Sequence, residues 1–272
     1  MKILIFGGSG LVGSALQRVL RGLGHEIVAP TRAQYDILGE GPPPFELFNG
    51  VSLVINAAVV KSSSSRDDAM RVNVEFSREV AALCSAARIK LIYLSTDGVF
   101  SGVYGLEDGA YDESCDPLPH DDYGRWKYLG EPKTCLVLRT SVIGPEQRGF
   151  ESLLCWFLAQ RGAISGYVDQ HWNGVTSLAL ARAIGRLVEL NLVRPGIRHI
   201  YADDVSKFEL LSRLAKVFDR EITINPAQAP VARDRRLRTL FPEFLAACAL
   251  PPLDIQLAEL PSVADRTGKW KY

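Results

Sequence analysis

An excess of charge of either sign is missing from this chain: 31 Lys and Arg balance 31 Asp and Glu over 272 residues, a formal net charge of zero. A nucleic-acid binder or a polybasic membrane protein needs a standing positive field, so neither class is expected. Apolar runs long enough for a spanning helix, ~18 residues, are also absent. Met1-Lys2-Ile3-Leu4-Ile5-Phe6 meets glycine at once, so no signal peptide is expected. Cys84, Cys115, Cys135, Cys155 and Cys248 are odd in number and lack CxxC spacing. They read as reduced thiols of a cytoplasmic protein, not as a disulfide frame or zinc site. His25, His120 and His199 stand apart from any carboxylate or thiol at ligand spacing, so no metal is expected. There is no internal repeat. What is present is an ordinary globular mixture, 47% apolar and 23% charged, in a chain long enough to bury roughly 70–75% of its unfolded surface.

The first 145 residues alternate short β-rich runs with helical patterns, the rhythm of a parallel sheet. Ile3–Phe6 is apolar throughout, as for a strand buried on both faces. Leu11, Ala15, Leu16, Val19 and Leu20 then recur at helical spacing. Glu26–Ala29, Leu53–Asn56, Leu91–Ser95 and Leu136–Leu138 are further strand candidates, and Val72, Phe76, Val80 and Leu83 mark a helix. Pro42-Pro43-Pro44 reads as a turn or a short helix entry, and the polar run from Lys61 to Ser65 as a solvated loop. After Pro145 the rhythm changes. Phe150–Arg161, Ser177–Leu190 and Lys207–Phe218 are expected to be helical, with a strand at Arg198–Tyr201. The expected plan is a nucleotide-binding domain over 1–145 and a mainly substrate-binding lobe over 146–272, with 177–202 returning to the first domain.

Gly7-Gly8-Ser9-Gly10-Leu11-Val12-Gly13 follows the first strand and opens the first helix. Gly7 permits a tight turn, Gly10 lets backbone approach a pyrophosphate, and Gly13 allows close packing of helix on strand. Phosphate oxygens would meet the free amides of Leu11, Val12 and Gly13 at the positive helix end. The GxxGxxG spacing resembles the extended short-chain dehydrogenase/reductase superfamily. Where an NAD enzyme usually offers a carboxylate to the adenosine ribose, this chain reads Ala29-Pro30-Thr31-Arg32. Arg32 and the Thr31 hydroxyl suit a 2′-phosphate, which favours NADPH over NADH. Asp36, after Tyr35, is expected nearer the adenine.

Tyr123 and Lys127 stand four residues apart in Tyr123-Gly124-Arg125-Trp126-Lys127, one face of a helix. Reduction of a carbonyl needs a proton donor at oxygen while hydride reaches carbon. A nearby ammonium favours phenolate, so Lys127 is expected to bring the Tyr123 phenol down toward working pH. Ser95-Thr96-Asp97 lies at the end of a strand, where open α/β sheets bind ligands.

The segment Ser95–Gly102, the Tyr123/Lys127 pair with Gly130-Glu131 behind it, Leu138–Gly144 and Asn56-Ala57-Ala58 resemble the dTDP-4-dehydrorhamnose reductase family, in the right order over residues 1–145. Asp169–Leu180 is similar to the family's substrate-side segment. The resemblance implies an α/β fold: a Rossmann-type doubly wound parallel sheet with a smaller, partly interleaved C-terminal substrate lobe. It implies that Thr96 hydrogen-bonds the substrate carbonyl, Tyr123 protonates it, and Lys127 holds the nicotinamide ribose. Asp97 would assist at the substrate, Val142 would border the nicotinamide, and Asn56, Ala57 and Ala58 would run along the cofactor. Trp172, Asn173 and Arg236 are the expected sugar-nucleotide contacts, while Trp156 is expected in the core. Gly98 stands where many relatives carry an aromatic residue and Val142 where many carry tryptophan, so a sugar other than dTDP-4-keto-rhamnose is compatible. The expected activity is NADPH-dependent reduction of a nucleotide-activated 4-keto-6-deoxy sugar in deoxysugar or polysaccharide supply, by a cytoplasmic enzyme that could be a homodimer. The alternatives are a sugar-nucleotide epimerase or dehydratase and a catalytically silent NADP-binding regulatory subunit. Gly98 leaves out the glutamate that dehydratases of the superfamily carry there, and the intact Thr96, Tyr123 and Lys127 oppose a silent role.

Overall fold

A computed structural model describes residues 1–39, 41–60, 65–103, 110–147, 151–265 and 267–271. Residues 61–64 of the polar run, and Phe150 at the start of one expected helix, lie outside them.

Six strands form the central sheet: β1 (Lys2–Phe6), β2 (Glu26–Val28), β3 (Leu53–Asn56), β4 (Lys90–Thr96), β5 (Leu136–Thr140) and β6 (Gly196–His199). They pair in the order β2-β1-β3-β4-β5-β6, and every pairing is parallel. The strand period of two divides β1 between two cores. Ile3 and Ile5 join helices α1 (Leu11–Gly22) and α5 (Ser177–Glu189), while Leu4 and Phe6 join Val72, Phe76 and Val80 on the other face. Those three belong to a long helix, α2, that runs over 66–86 and loosens into a π turn at Arg71–Glu75. The fold is a doubly wound Rossmann-type sheet. The chain goes outward from β1 to β2 and then crosses back to β3, so the switch point lies between the carboxyl ends of β1 and β3.

Helix α3 (Asp122–Leu129), capped by the Asp121 carboxylate on the Gly124 amide, lies on the α2 side, with Trp126 packed against Ala69 and Val74. Beyond β5, helices α4 (Leu153–Ala159) and α6 (Lys207–Val217) build a third core from Leu154, Phe157, Leu210, Leu214, Leu253 and Leu257. Strand Gln170–Trp172 lies between Val205–Ser206 and Arg233–Asp234 in a small second sheet. Helix α5 and strand β6, although late in the chain, belong to the main sheet and its α1 face.

Two expectations shift. The strand expected at Arg198–Tyr201 is Gly196–His199, because Gly196 at φ +137° already donates to the Cys135 carbonyl and starts the ladder. Trp156, expected in the core, is 42% exposed, since α4 turns Leu154, Phe157 and Leu158 inward instead. Pro44 precedes a 3₁₀ turn at Phe45–Phe48, the helix-entry form of the two readings. All five cysteines are free. Among the described residues no helix is long and apolar enough to cross a membrane.

One charged pair sits inside the molecule. Arg139 of β5, 1% exposed, donates to both Glu131 carboxylate oxygens at 2.9 and 2.7 Å. The Ser95 hydroxyl donates to the same carboxylate at 2.5 Å. Removing one partner of a buried pair leaves an uncompensated charge, at a cost of about 3–5 kcal/mol. Glu131→Gln should therefore lower the unfolding free energy in urea by that order. Arg182→Ala, which removes a pair whose side chains are 49% and 33% exposed, should change it by less than about 1 kcal/mol.

Candidate active site

Because the sheet is parallel, the loops after β1, β3, β4 and β5 leave its carboxyl edge together, and Gly7–Gly13, Asn56–Ala58, Thr96–Asp97 and Val142 lie at or just past these strand ends. Gly7 ends β1 at φ +75°, where a Cβ would lie 2.6 Å from the Ala57 carbonyl. A Cβ at Gly13 would lie 2.1 Å from the Gly7 carbonyl oxygen, so turn and helix close on each other only without side chains. Gly10 caps α1 without a side-chain acceptor, and no acid stands in the first turn. The amides of Leu11, Val12 and Gly13 therefore face the edge uncapped, a donor set that suits an anion such as a dinucleotide diphosphate.

Asn56 is 1% exposed and turned inward: its Oδ1 accepts from the Ala58 amide and its Nδ2 donates to Ser77. It thereby shapes the Ala57–Ala58 turn. After β2, Arg32 is exposed, and the Thr31 hydroxyl donates to Gln34 Oε1 at 3.1 Å. Asp36 is exposed as well and accepts from the Leu38 amide. Arg71 ties this loop down by donating to the Ile37 and Gly41 carbonyls and to Glu79. Asn73, inside the π turn, clasps Val60 through both its amide atoms at 2.8 and 3.3 Å. Neither residue was expected to act here. An amide amid the apolar stripe Val72–Phe76 is the signal that could have exposed Asn73.

At the end of β4 the Thr96 hydroxyl donates to Asp97 at 3.1 Å and accepts from the Gly98 amide at 3.0 Å, and it lies close enough to the Tyr123 phenol to favour its ionised form. Lys127, one turn along α3 from Tyr123, is 2% exposed, and its ammonium lies 4.1 Å above the Tyr93 ring. The structure thus gathers buried Thr96 and Asp97 with half-buried Tyr123, and places buried Lys127 one helical turn behind the phenol. It reverses one expectation. Burial, and then the Asp97 carboxylate, push the Tyr123 phenol well above its ordinary value, with the Thr96 hydrogen bond opposing. Burial brings Lys127 down to about 7, with Glu131 opposing. The lysine does not lower the phenol, because burial penalises both charges and the ammonium is directed onto Tyr93. Asp97 is likewise raised by burial, against the Arg235 guanidinium and bonds from Thr96, Gly98 and Ser141.

A cavity of about 280 Å³ opens beside this cluster, lined by Asp97, Ser141, Val142, Trp172, Lys207 and the Arg233/Arg235 pair among others. Trp172 is shared between the cavity and the third core. Asn173 and Arg236, expected on the substrate, are turned away. Asn173 is 2% exposed and exchanges hydrogen bonds with both backbone groups of Leu237. Arg236 is held by Asp234 and Asp204. Strand alternation is the reason: 233 and 235 face the cavity, while 234 and 236 face the other way. Lys207 begins α6; burial lowers it, and among the described residues no carboxylate compensates it. Among the described residues, no group of three His, Cys, Asp or Glu could hold a metal ion. A second hollow of about 290 Å³, lined by Leu158, Phe218, Asp219 and Arg220, contains none of these groups.

The family described as "RmlD substrate binding domain" matches residues 1–236. The chain belongs to that family. A dTDP-4-dehydrorhamnose reductase of Mycolicibacterium smegmatis is 31% identical over 73% of this chain, and the match spans 63% of that relative, just under two thirds of its length. A dTDP-4-keto-6-deoxy-D-glucose reductase of Streptomyces niveus is 28% identical over 85% of this chain and 83% of its own. The fold is also that of a Bacillus anthracis dTDP-4-dehydrorhamnose reductase solved with NADP, at TM-score 0.79 and 22% identity, over 96% of this chain and 98% of that one.

The buried lysine has a consequence for stability. From about pH 7 up to its ordinary range, the unfolded chain carries a proton on Lys127 that the folded chain has lost. Stability therefore rises with pH through that window, by at most about 1.4 kcal/mol per unit. Lys127→Met should remove this contribution. Urea unfolding of parent and variant between pH 7 and 9.5 should show the difference moving steadily in the parent's favour.

Proposed function

We propose that this chain is an NADPH-dependent reductase of a nucleotide-activated 4-keto-6-deoxy sugar. The observation that carries the proposal is the cluster of Thr96, Asp97, Tyr123 and Lys127 at the carboxyl edge, beside the cavity and on the same edge as the uncapped start of α1. The names of the two relatives, a dehydrorhamnose reductase and a keto-deoxyglucose reductase, support the substrate class. NADP in the B. anthracis homologue supports the cofactor. In this reading the enzyme is an extended short-chain reductase of the cytoplasm, and a homodimer is its expected assembly. Residues 1–145 chiefly hold the cofactor and 146–272 the sugar nucleotide.

NADPH, when bound, supplies hydride to the keto carbon. The glycine turn with Leu11, Val12 and Gly13 would hold its diphosphate, Arg32 its 2′-phosphate, and Val142 would border the nicotinamide. The chain's own work is at the keto oxygen. Tyr123 keeps its proton at neutral pH because burial and Asp97 both disfavour the phenolate, so it reaches the substrate as a donor. Thr96 holds the same oxygen, steadied by the Gly98 amide and Asp97. Lys127, one turn along the same helix face, would hold the nicotinamide ribose beside the phenol. Lys207 and Arg233, cations of the C-terminal side of the cavity, match the two charges of a sugar-nucleotide diphosphate.

The reading predicts NADPH oxidation when dTDP-4-keto-6-deoxyglucose or dTDP-4-dehydrorhamnose is added. Tyr123→Phe should lower kcat by at least about 100-fold while the Kd for NADPH stays within a few-fold, since only the proton donor is removed. Activity within a few-fold of the parent would remove Tyr123 from this role. Arg32→Ala should weaken NADPH by about tenfold and leave NADH nearly untouched, with the effect shrinking at higher salt because Arg32 is exposed. Equal loss of both cofactors by titration would mean that Arg32 does not read the phosphate.

A further inference from the structure

Arg235 has not been given a role in the reaction, yet it reaches further toward the reacting groups than its place in the C-terminal lobe suggests. Its side chain threads between two glycines. A Cβ at Gly102, which sits at φ +68°, would lie 2.7 Å from Arg235 Cγ. A Cβ at Gly98 would lie 3.8 Å from Nη1 and 3.3 Å from Thr96 Oγ1. The guanidinium thus lies within van der Waals reach of position 98, beside the hydroxyl proposed to hold the keto oxygen. Nη2 lies 3.5 Å from the Asp121 carboxylate, and the buried Asp97 lies close enough for the guanidinium to lower it. Nε is buried and has no hydrogen-bond partner among the described residues. A guanidinium only donates, so a buried N–H of this kind calls for an acceptor, and a ligand in the adjoining cavity would bring one.

We propose that Arg235 is a specificity-determining residue that donates to an oxygen on the ring carbon adjoining the keto carbon. This rests on the functional reading above, which also identifies the oxygen. A 4-keto-6-deoxy sugar presents a methyl group on the C5 side, so the acceptor is the hydroxyl on C3. Lys207 and Arg233 remain for the diphosphate at the other end of the sugar.

The test compares a dTDP-4-keto-6-deoxy sugar with its 3-deoxy analogue, each with NADPH, in parent and in Arg235→Met. A site built to hydrogen-bond a hydroxyl rejects the analogue that lacks it strongly, and we expect at least about 100-fold in kcat/KM for the parent. Arg235→Met should shrink that preference to a few-fold, with the loss concentrated on the hydroxyl-bearing sugar. Arg235→Lys, which keeps a cation beside Asp97 and Asp121 but removes the Nε donor, should shrink it in the same way. NADPH affinity and the circular dichroism spectrum report whether each variant is folded. If Arg235→Met slows both sugars equally, Arg235 acts only through Asp97 and Asp121 and the proposal is overturned alone. If the folded, NADPH-binding parent reduces neither sugar, the functional reading fails and takes the proposal with it.

Discussion

The Glu131 carboxylate accepts from Arg139 on β5 and from Ser95 on β4, and in doing so ties the chain just beyond α3 to the middle of the sheet. Buried ion pairs are poor sources of net stability, because desolvation offsets most of the attraction. What this one supplies is position. Ser95 is followed by Thr96, and Glu131 lies one helical turn beyond Lys127 and two beyond Tyr123. Once the carboxylate is fixed, α3 cannot slide along the sheet without leaving an unpaired charge in the interior. The phenol is therefore held against the Thr96 hydroxyl. Tyr93 adds to the constraint by donating to the Lys127 carbonyl at 3.3 Å while its ring lies under the ammonium.

The same burial decides the protonation states. Tyr123 and Asp97 are raised and Lys127 is lowered, so each group is pushed toward its neutral form. A proton donor benefits from this arrangement: it must hold its proton until charge develops on the carbonyl oxygen, and a phenol that ionised early would have nothing to give. Two neighbours act against this push. Glu131 acts upward on Lys127, and Arg235 acts downward on Asp97. Each correction comes from a different part of the chain, so the balance depends on the two lobes being docked.

Much of the sheet could be read from sequence because its signals are local. Apolar runs such as Ile3–Phe6 and Leu53–Asn56 need only their own composition, and the glycine turn announces the switch point. Tyr123 and Lys127 could be paired because helical spacing alone puts them on one face. The direction of their pKa shifts could not be read, since it depends on how deeply α3 is buried and on where Asp97 points. The orientation of Asn173 and Arg236 is hidden for a related reason. Both are polar residues in a substrate-side segment, but whether they face the cavity depends on register, and a shift of one residue in a strand exchanges its faces. Arg139 could have been noticed as a charge inside the run Leu136–Thr140, though nothing local names Glu131 as its partner.

That register is set by contacts that do not touch the cavity at all. Asn173 holds both backbone groups of Leu237, the Asp234 amide donates to the Gly102 carbonyl at 2.8 Å, and Arg236 is anchored on Asp204 and Asp234. These outward contacts leave 233 and 235 with only one direction to face. Thr96, Tyr123 and Lys127, by contrast, are carried by β4 and α3, and this segment reaches them only through Arg235. The two tasks are thus carried by separate pieces of chain that meet at Asp97 and Gly98. Arg233 and Arg235 line the cavity from one side, while the Glu131-centred network fixes α3 on the other.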